Sequence, residues 1–117
     1  MAHIEILKDN LLRILNDVQN FPLSDLEMIA SNLRRIFLQN GTLFVFGNGG
    51  SAAEANHLAA EFVGKCVKDH PPFSAISLNS NSSALTAIAN DYGYENVFSR
   101  QVDASVTKND IVIGLST

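Results

Sequence analysis

One cysteine, Cys66, stands among 117 residues, so no internal disulfide can staple the fold, and the chain reads as a protein of a reducing compartment, the cytoplasm. No apolar run is long enough to span a bilayer, which excludes a helical membrane anchor within these residues. The opening Met1-Ala2-His3-Ile4-Glu5 lacks the basic, apolar and small-residue progression of a secretory leader, and none is expected. Eight basic residues face twelve acidic ones, a net charge of −4, and the basic residues are scattered. Without a basic stripe, nucleic acid is not the expected ligand. There is no low-complexity segment and no long internal repeat. A hydrophobic content of 46% is enough for one globular domain with a core.

The apolar residues are periodic. Ile4, Leu7, Leu11, Ile14, Leu15 and Val18 recur at helical spacing, and Phe21-Pro22-Leu23 breaks the pattern. Ser24-Asp25-Leu26-Glu27 has capping-box spacing and opens a second helix, with Leu26, Ile29, Ala30, Leu33, Ile36 and Phe37 inward, stopped by Asn40-Gly41. Residues 1–40 thus form a helical hairpin or arm that belongs to the same domain. Its two apolar stripes call for a partner surface, so the expected state is a homo-oligomer with a helical interface. Thr42–Phe46 reads as a strand covered on both faces, followed by a helix from about Ser51 to Val67 that Pro71-Pro72 ends. Ser74–Leu78 reads as a second buried strand and Ala84–Ala89 as a helix. Asn90-Asp91-Tyr92-Gly93-Tyr94 reads as a turn, Val97–Val106 as an amphipathic helix, and Ile111–Leu115 as a third buried strand. Alternating strands and helices predict an α/β fold with a parallel sheet flanked by helices, and ligands at the carboxyl ends of the strands. The chain stops directly after the third strand, which implies a truncated domain with some site residues missing.

The most informative stretch is Leu43-Phe-Val-Phe-Gly47-Asn-Gly-Gly-Ser51-Ala-Ala-Glu54-Ala-Asn-His57-Leu-Ala-Ala-Glu61. A strand runs through a glycine turn into a helix. Gly47, Gly49 and Gly50 are expected to let the backbone take positive φ and approach a ligand closely, and the helix amino end offers amides and a positive dipole to an anion, most naturally phosphate. His57 and Glu61, four apart, share a helix face and can converge on one metal ion or one substrate proton. The rise from Ser51 to His57 is roughly 9 Å, which sets an extended sugar phosphate between the turn and this pair. The same pair also reads as an ordinary surface interaction, Asn90-Asp91 as a hydrogen-bonded turn, and Ser116-Thr117 as a frayed end. Ile111–Leu115 running into Ser116-Thr117 echoes Phe44–Phe46 running into the glycine turn. Cys66 reads as packed rather than reactive, Lys65 and Lys68 as a solvated helix face, and His3 and His70 match no functional position.

Gly47-Asn-Gly-Gly-Ser51, Glu54-Ala-x-His57-x-x-x-Glu61, Asn90-Asp91-Tyr-Gly and Gly114-Leu-Ser-Thr117, in this order, resemble bacterial phosphoheptose isomerases of the sugar isomerase (SIS) domain family. The resemblance covers the chain throughout, but only the amino-terminal part of a typical member. It implies a SIS-type, flavodoxin-like sandwich, of which 41–117 is the first part. It also implies conversion of sedoheptulose 7-phosphate into D-glycero-D-manno-heptose 7-phosphate, in the synthesis of lipopolysaccharide or other surface heptoses, by a homotetramer with shared sites.

Carried over position by position, Asn48, Gly49 and Gly50 would contact substrate and Ser51 would hold phosphate. Asn90 and Asp91 would bind sugar hydroxyls, while Ser116 and Thr117 would begin a second phosphate loop. His57 and Glu61 would be zinc ligands, with Glu61 also the acid/base and His57 part of the catalytic pair. Family members supply a further Gln and His beyond the position of Thr117. The competing expectation is a noncatalytic SIS module that binds sugar phosphate or a protein partner, as a replication-initiator-associating factor does. A third is an isomerase for another phosphorylated sugar.

Overall fold

The computed structural model describes all 117 residues, which divide into two compact units, Met1–Ser31 and Asn32–Thr117. The first unit contains α1 (Ala2–Gln19) and the opening turns of α2 (Leu23–Leu38). The stripe of Ile4, Leu7, Leu11, Ile14, Leu15 and Val18 is on α1 as expected, but no residue of that helix is buried. The capping box at Ser24 is not formed. Pro22, which has no N–H to lose, opens the helix sooner, and its carbonyl accepts from the amides of Asp25 (3.0 Å) and Leu26 (3.3 Å), leaving Ser24 inside the first turn.

The second unit takes in the end of α2, because Leu33 and Phe37 pack on its core and Ile36 is buried. That helix closes with Asn40 at φ 58, the Asn40 amide on the Phe37 carbonyl (3.2 Å) and the Gly41 amide on that of Ile36 (2.7 Å), a Schellman closure. There follow β1 (Leu43–Gly47), α3 (Gly50–Val63), β2 (Ala75–Ser77), α4 (Ser82–Tyr92), a 3-10 turn (Tyr94–Asn96), α5 (Ser99–Ser105) and β3 (Ile111–Leu115). The strands form one parallel sheet in the order β2-β1-β3. Leu43 aligns with Ala75 and Ile111, Val45 with Ser77 and Ile113, and Gly47 with Leu115.

The central strand explains the core. Leu43 and Val45 are fully buried on one face, against Ala55 and Ala59 of α3, whose small side chains let the helix lie close to the sheet. Each of those two strand side chains contributes about 2 kcal/mol by leaving water. On the opposite face Phe44 is buried and Phe46 stacks on Phe98 (4.6 Å between centroids), with Val97 buried nearby in sequence. Gly114, beside Phe46 in the register, leaves room for that ring: a Cβ there would stand 3.1 Å from it.

Three expectations about elements are corrected. The flanking strands are covered on one face only, since Ile76 is 46% and Val112 37% exposed: each stands one position from the doubly covered centre. The third helix ends at Val63 rather than Val67, at Gly64, whose amide still bonds the Ala60 carbonyl (2.8 Å) before the backbone turns away. Lys65 and Lys68 therefore lie beyond the helix, not on a face of it. Finally, Asn90 and Asp91 belong to the last turn of α4, which runs to Tyr92 and is broken only by Gly93 at φ 90.

Candidate functional site

The site is built at the carboxyl edge of the sheet, where β1 and β3 end side by side. Asn48-Gly49-Gly50-Ser51 forms a β-turn closed by the Ser51 amide on the Asn48 carbonyl (3.0 Å). Gly49, at φ 56 and ψ −121, occupies its first central position, the geometry of a type II′ turn that favours glycine. Gly49 is alone among the three motif glycines in having positive φ, which corrects the expectation for the others. Gly47 is needed for close approach: a Cβ there would sit 2.7 Å from that of Ser51. At Gly50 a Cβ would meet nothing within 4 Å.

From this turn α3 departs. The amides of Ala52 (3.1 Å) and Ala53 (3.3 Å) turn back onto the Gly49 carbonyl, so the start of the helix is tightly wound. No side chain caps it. The amides of Gly49 and Gly50 have no such acceptor, and they stand at the positive end of a 14-residue helix.

Phe46, Gly47, Asn48, Ser51, Gly114, Leu115, Ser116 and Thr117 line a cleft of about 420 Å³. The Gly47–Leu115 register thus brings both polar strand ends to one place, as the short echo between them suggested. A second, more open cleft of about 350 Å³ is lined by Glu54, His57, Leu58, Glu61 and again Leu115. The two depressions share that leucine.

In the second cleft His57 Nε2 and Glu61 Oε1 are 2.9 Å apart, with the His57 side chain 76% exposed and that of Glu61 30%. Hydrogen bonding from the Cys66 thiol, then from His57, holds the Glu61 carboxyl below its usual value, and Glu61 in turn pushes the thiol up. Cys66 is thus exposed beside a candidate catalytic carboxylate rather than packed, because α3 has ended and the chain bends back there. His70 has a structural role: its Nε2 lies 3.2 Å from the Glu61 carbonyl oxygen and its ring stacks on Phe73.

The donor chemistry of His57 and Glu61 suits zinc, but they make a pair, and the chain contains no group of three or more His, Cys, Asp or Glu able to hold a metal. A resident zinc ion takes three or four protein ligands. These residues can supply two of them.

Asn90 and Asp91 line neither cleft. They are exposed, and the Asn90 Nδ2 donates to Asp91 Oδ1 (3.0 Å). Two residues that the sequence did not single out reach the glycine turn instead. Asn79, just past β2, accepts from the Gly47 amide (3.0 Å) and donates to the Gly47 carbonyl (2.8 Å). Its place at the carboxyl edge of the sheet was the available signal. Tyr94, whose hydroxyl donates to Asn48 Oδ1, carried none.

The profile of the SIS domain family matches residues 8–117. A probable phosphoheptose isomerase from Thermoplasma acidophilum is 49% identical over 89 residues, 76% of this chain and 49% of that protein. A phosphoheptose isomerase from Helicobacter pylori strain Shi470 is 44% identical over all of this chain and 57% of its own length. The solved phosphoheptose isomerase of Neisseria gonorrhoeae superposes with a TM-score of 0.86 at 33% identity, over 99% of this chain and 60% of that one. This chain therefore spans about half the length of the relatives it matches. With nearly every residue inside one family profile, and a parallel sheet, glycine turn and helix superposing on solved relatives, the chain belongs to the SIS domain family.

Proposed function

We propose that this chain is part of a phosphoheptose isomerase, an enzyme that converts sedoheptulose 7-phosphate into D-glycero-D-manno-heptose 7-phosphate through an enediolate. One juxtaposition carries the reading: a cleft with a helix amino terminus and four small polar side chains adjoins, through Leu115, a cleft holding an imidazole and a carboxylate. The names of the relatives support it.

In this reading the phosphate lies at the turn, held by the Gly49 and Gly50 amides, Asn48, Ser51, Ser116 and Thr117, with the helix dipole adding attraction. An extended seven-carbon chain then runs along α3, whose rise is roughly 9 Å from Ser51 to His57 and about 6 Å more to Glu61. Isomerisation moves a proton between C1 and C2, with a matching proton shift between their oxygens. Glu61, kept ionised by its neighbours, accepts the carbon-bound proton and returns it to the adjacent carbon. His57 holds Glu61 on the side facing the second cleft. A bound zinc ion, with His57 and Glu61 as two of its ligands, would supply positive charge against the charge developing on the sugar oxygens. Asn90 and Asp91 are proposed to reach sugar hydroxyls only in the assembled enzyme, since here they face solvent away from both clefts.

The proposed setting is the cytoplasm, in the synthesis of surface heptoses, and the proposed assembly is a homotetramer seated on the open stripes of α1 and α2. The second reading, a noncatalytic SIS module for a sugar phosphate or a protein partner, draws on the exposure of His57 and its direct pairing with Glu61, which an ordinary surface pair also shows. Incubating the full-length protein with sedoheptulose 7-phosphate and zinc, and following heptose 7-phosphate, separates them. Conversion supports the isomerase; binding without conversion supports the module.

A further inference from the structure

We infer that Tyr94 is a positioning residue of this site, acting through Asn48; the role rests on the isomerase reading but concerns a residue outside both clefts. The tripeptide Gly47-Asn48-Gly49 is gripped from two directions. Asn79 fixes its backbone by bonding both the amide and the carbonyl of Gly47, at 3.0 and 2.8 Å. Tyr94 fixes its side chain, donating its hydroxyl to Asn48 Oδ1 across a separation of 46 residues.

The consequence is directional. Asn48 is exposed and would otherwise sample several rotamers and both amide orientations. With its oxygen taken by a phenol, the end left free is Nδ2, which has two N–H donors and no acceptor within the chain. Asn48 lines the proposed phosphate cleft, so the donors that an anionic group needs are the ones left available. An unheld Asn48 would offer its carbonyl oxygen part of the time, which repels an anion.

The connection that delivers Tyr94 is itself specified. Gly93 breaks α4 at φ 90 and ψ 150, its amide still on the Ala89 carbonyl (3.1 Å), and the 3-10 turn starts at Tyr94 directly after it. A Cβ at Gly93 would meet only the movable end of the Glu95 side chain, so it is the φ of 90 that asks for glycine here. Glycine at 93 therefore lets the chain reverse sharply enough for the phenol of the next residue to reach the glycine turn. Tyr94 needs no contact with the reacting atoms, and its effect belongs to substrate affinity rather than to proton transfer.

The test is a double-mutant cycle in the full-length protein, with Tyr94→Phe, Asn48→Ala and their combination assayed on sedoheptulose 7-phosphate, together with a crystal structure of Tyr94→Phe. Losing one hydrogen bond that orients a ligand contact is expected to raise KM about tenfold with kcat changed less than about twofold. In the Asn48→Ala background Tyr94→Phe is expected to do nothing further, and the crystal is expected to show the Asn48 amide rotated or spread over rotamers. Additive effects of the two substitutions, or an Asn48 side chain unmoved in the variant crystal, would overturn the role. A wild-type protein that binds the sugar phosphate without converting it sinks the isomerase reading instead; Tyr94→Phe must then still weaken calorimetric binding about tenfold through Asn48, and unchanged binding would overturn the positioning role by itself.

Discussion

Gly50 offers the sharpest way to separate a glycine kept for the fold from one kept for a ligand. An alanine methyl there meets no atom within 4 Å, and the residue lies outside the positive-φ region. Gly50 is also the first residue of α3, where alanine is the better helix former by up to about 1 kcal/mol. Neither strain nor packing asks for glycine, and the reason left is approach of a ligand to the amide. Gly50→Ala is therefore expected to keep or raise stability, by about 0.5 kcal/mol, while lowering affinity for sedoheptulose 7-phosphate at least about tenfold, because a methyl occupies space the anion needs. Gly49→Ala is the control: at φ 56 and ψ −121 it costs about 1–3 kcal/mol of strain and opens the turn. Denaturant midpoints and calorimetric titration of the two full-length variants give both quantities. A Gly50→Ala protein that binds substrate like wild type would refute the placement of the anion at this helix terminus.

The remaining expectations concern chemistry, stability and assembly. Glu61→Gln keeps a hydrogen-bonding partner for His57 but cannot take a proton, so turnover is expected to fall at least about a hundredfold with binding largely retained; near-normal turnover removes Glu61 from the chemistry. Asp110→Ala removes acceptors for the Thr42 amide (2.8 Å), the Thr107 amide (2.7 Å) and the Thr107 hydroxyl (2.9 Å), and is expected to cost about 2 kcal/mol in chemical denaturation. Partial burial raises the Asp110 carboxyl, but those donors hold it below its ordinary 3.8 overall, so its contribution is complete above that value and fades as pH falls through the lower folded value. The alanine variant should show a shallower acid loss than wild type between these limits, and parallel curves would contradict the sign. The exposed stripe on α1 predicts that light scattering finds a homo-oligomer for the full-length protein, whereas a monodisperse monomer at micromolar concentration would contradict a helical interface.

Strands, helices and the glycine turn were legible because each is written locally. The continuous apolar run around Val45, the 3.6-residue rhythm of α1 and the His57–Glu61 spacing need no knowledge of distant residues. What escaped depends on competition or on neighbours. Whether Asn90-Asp91 turns or stays helical was decided by Gly93, three residues past Asn90, which carries the break alone. How far β2 and β3 are buried depends on which strand is central, and that lies in the sheet order rather than in either strand's composition. The exposure of Cys66 follows from α3 stopping at Gly64, a choice between a glycine break and continued periodicity.

The sheet order also decides what kind of site the chain can make. With β1 between β2 and β3, residues just past both outer strands gather at the glycine turn: Asn79 from one side as a backbone clamp, Ser116 and Thr117 from the other as cleft walls. Had β1 lain at an edge, one of these would stand a further strand away, about 5 Å, beyond hydrogen-bond reach of Gly47 or outside the cleft. Leu115 adds a second consequence, because its register opposite Gly47 places it where α3 passes over the sheet, between the polar cleft and the His57–Glu61 face. The polar cleft and the carboxylate are thus joined through one apolar side chain. In the proposed reading, a sugar phosphate that spans both clefts would pass over Leu115, so the reach of that side chain, rather than any charged group, would set the closest path between its phosphate and its reacting carbons.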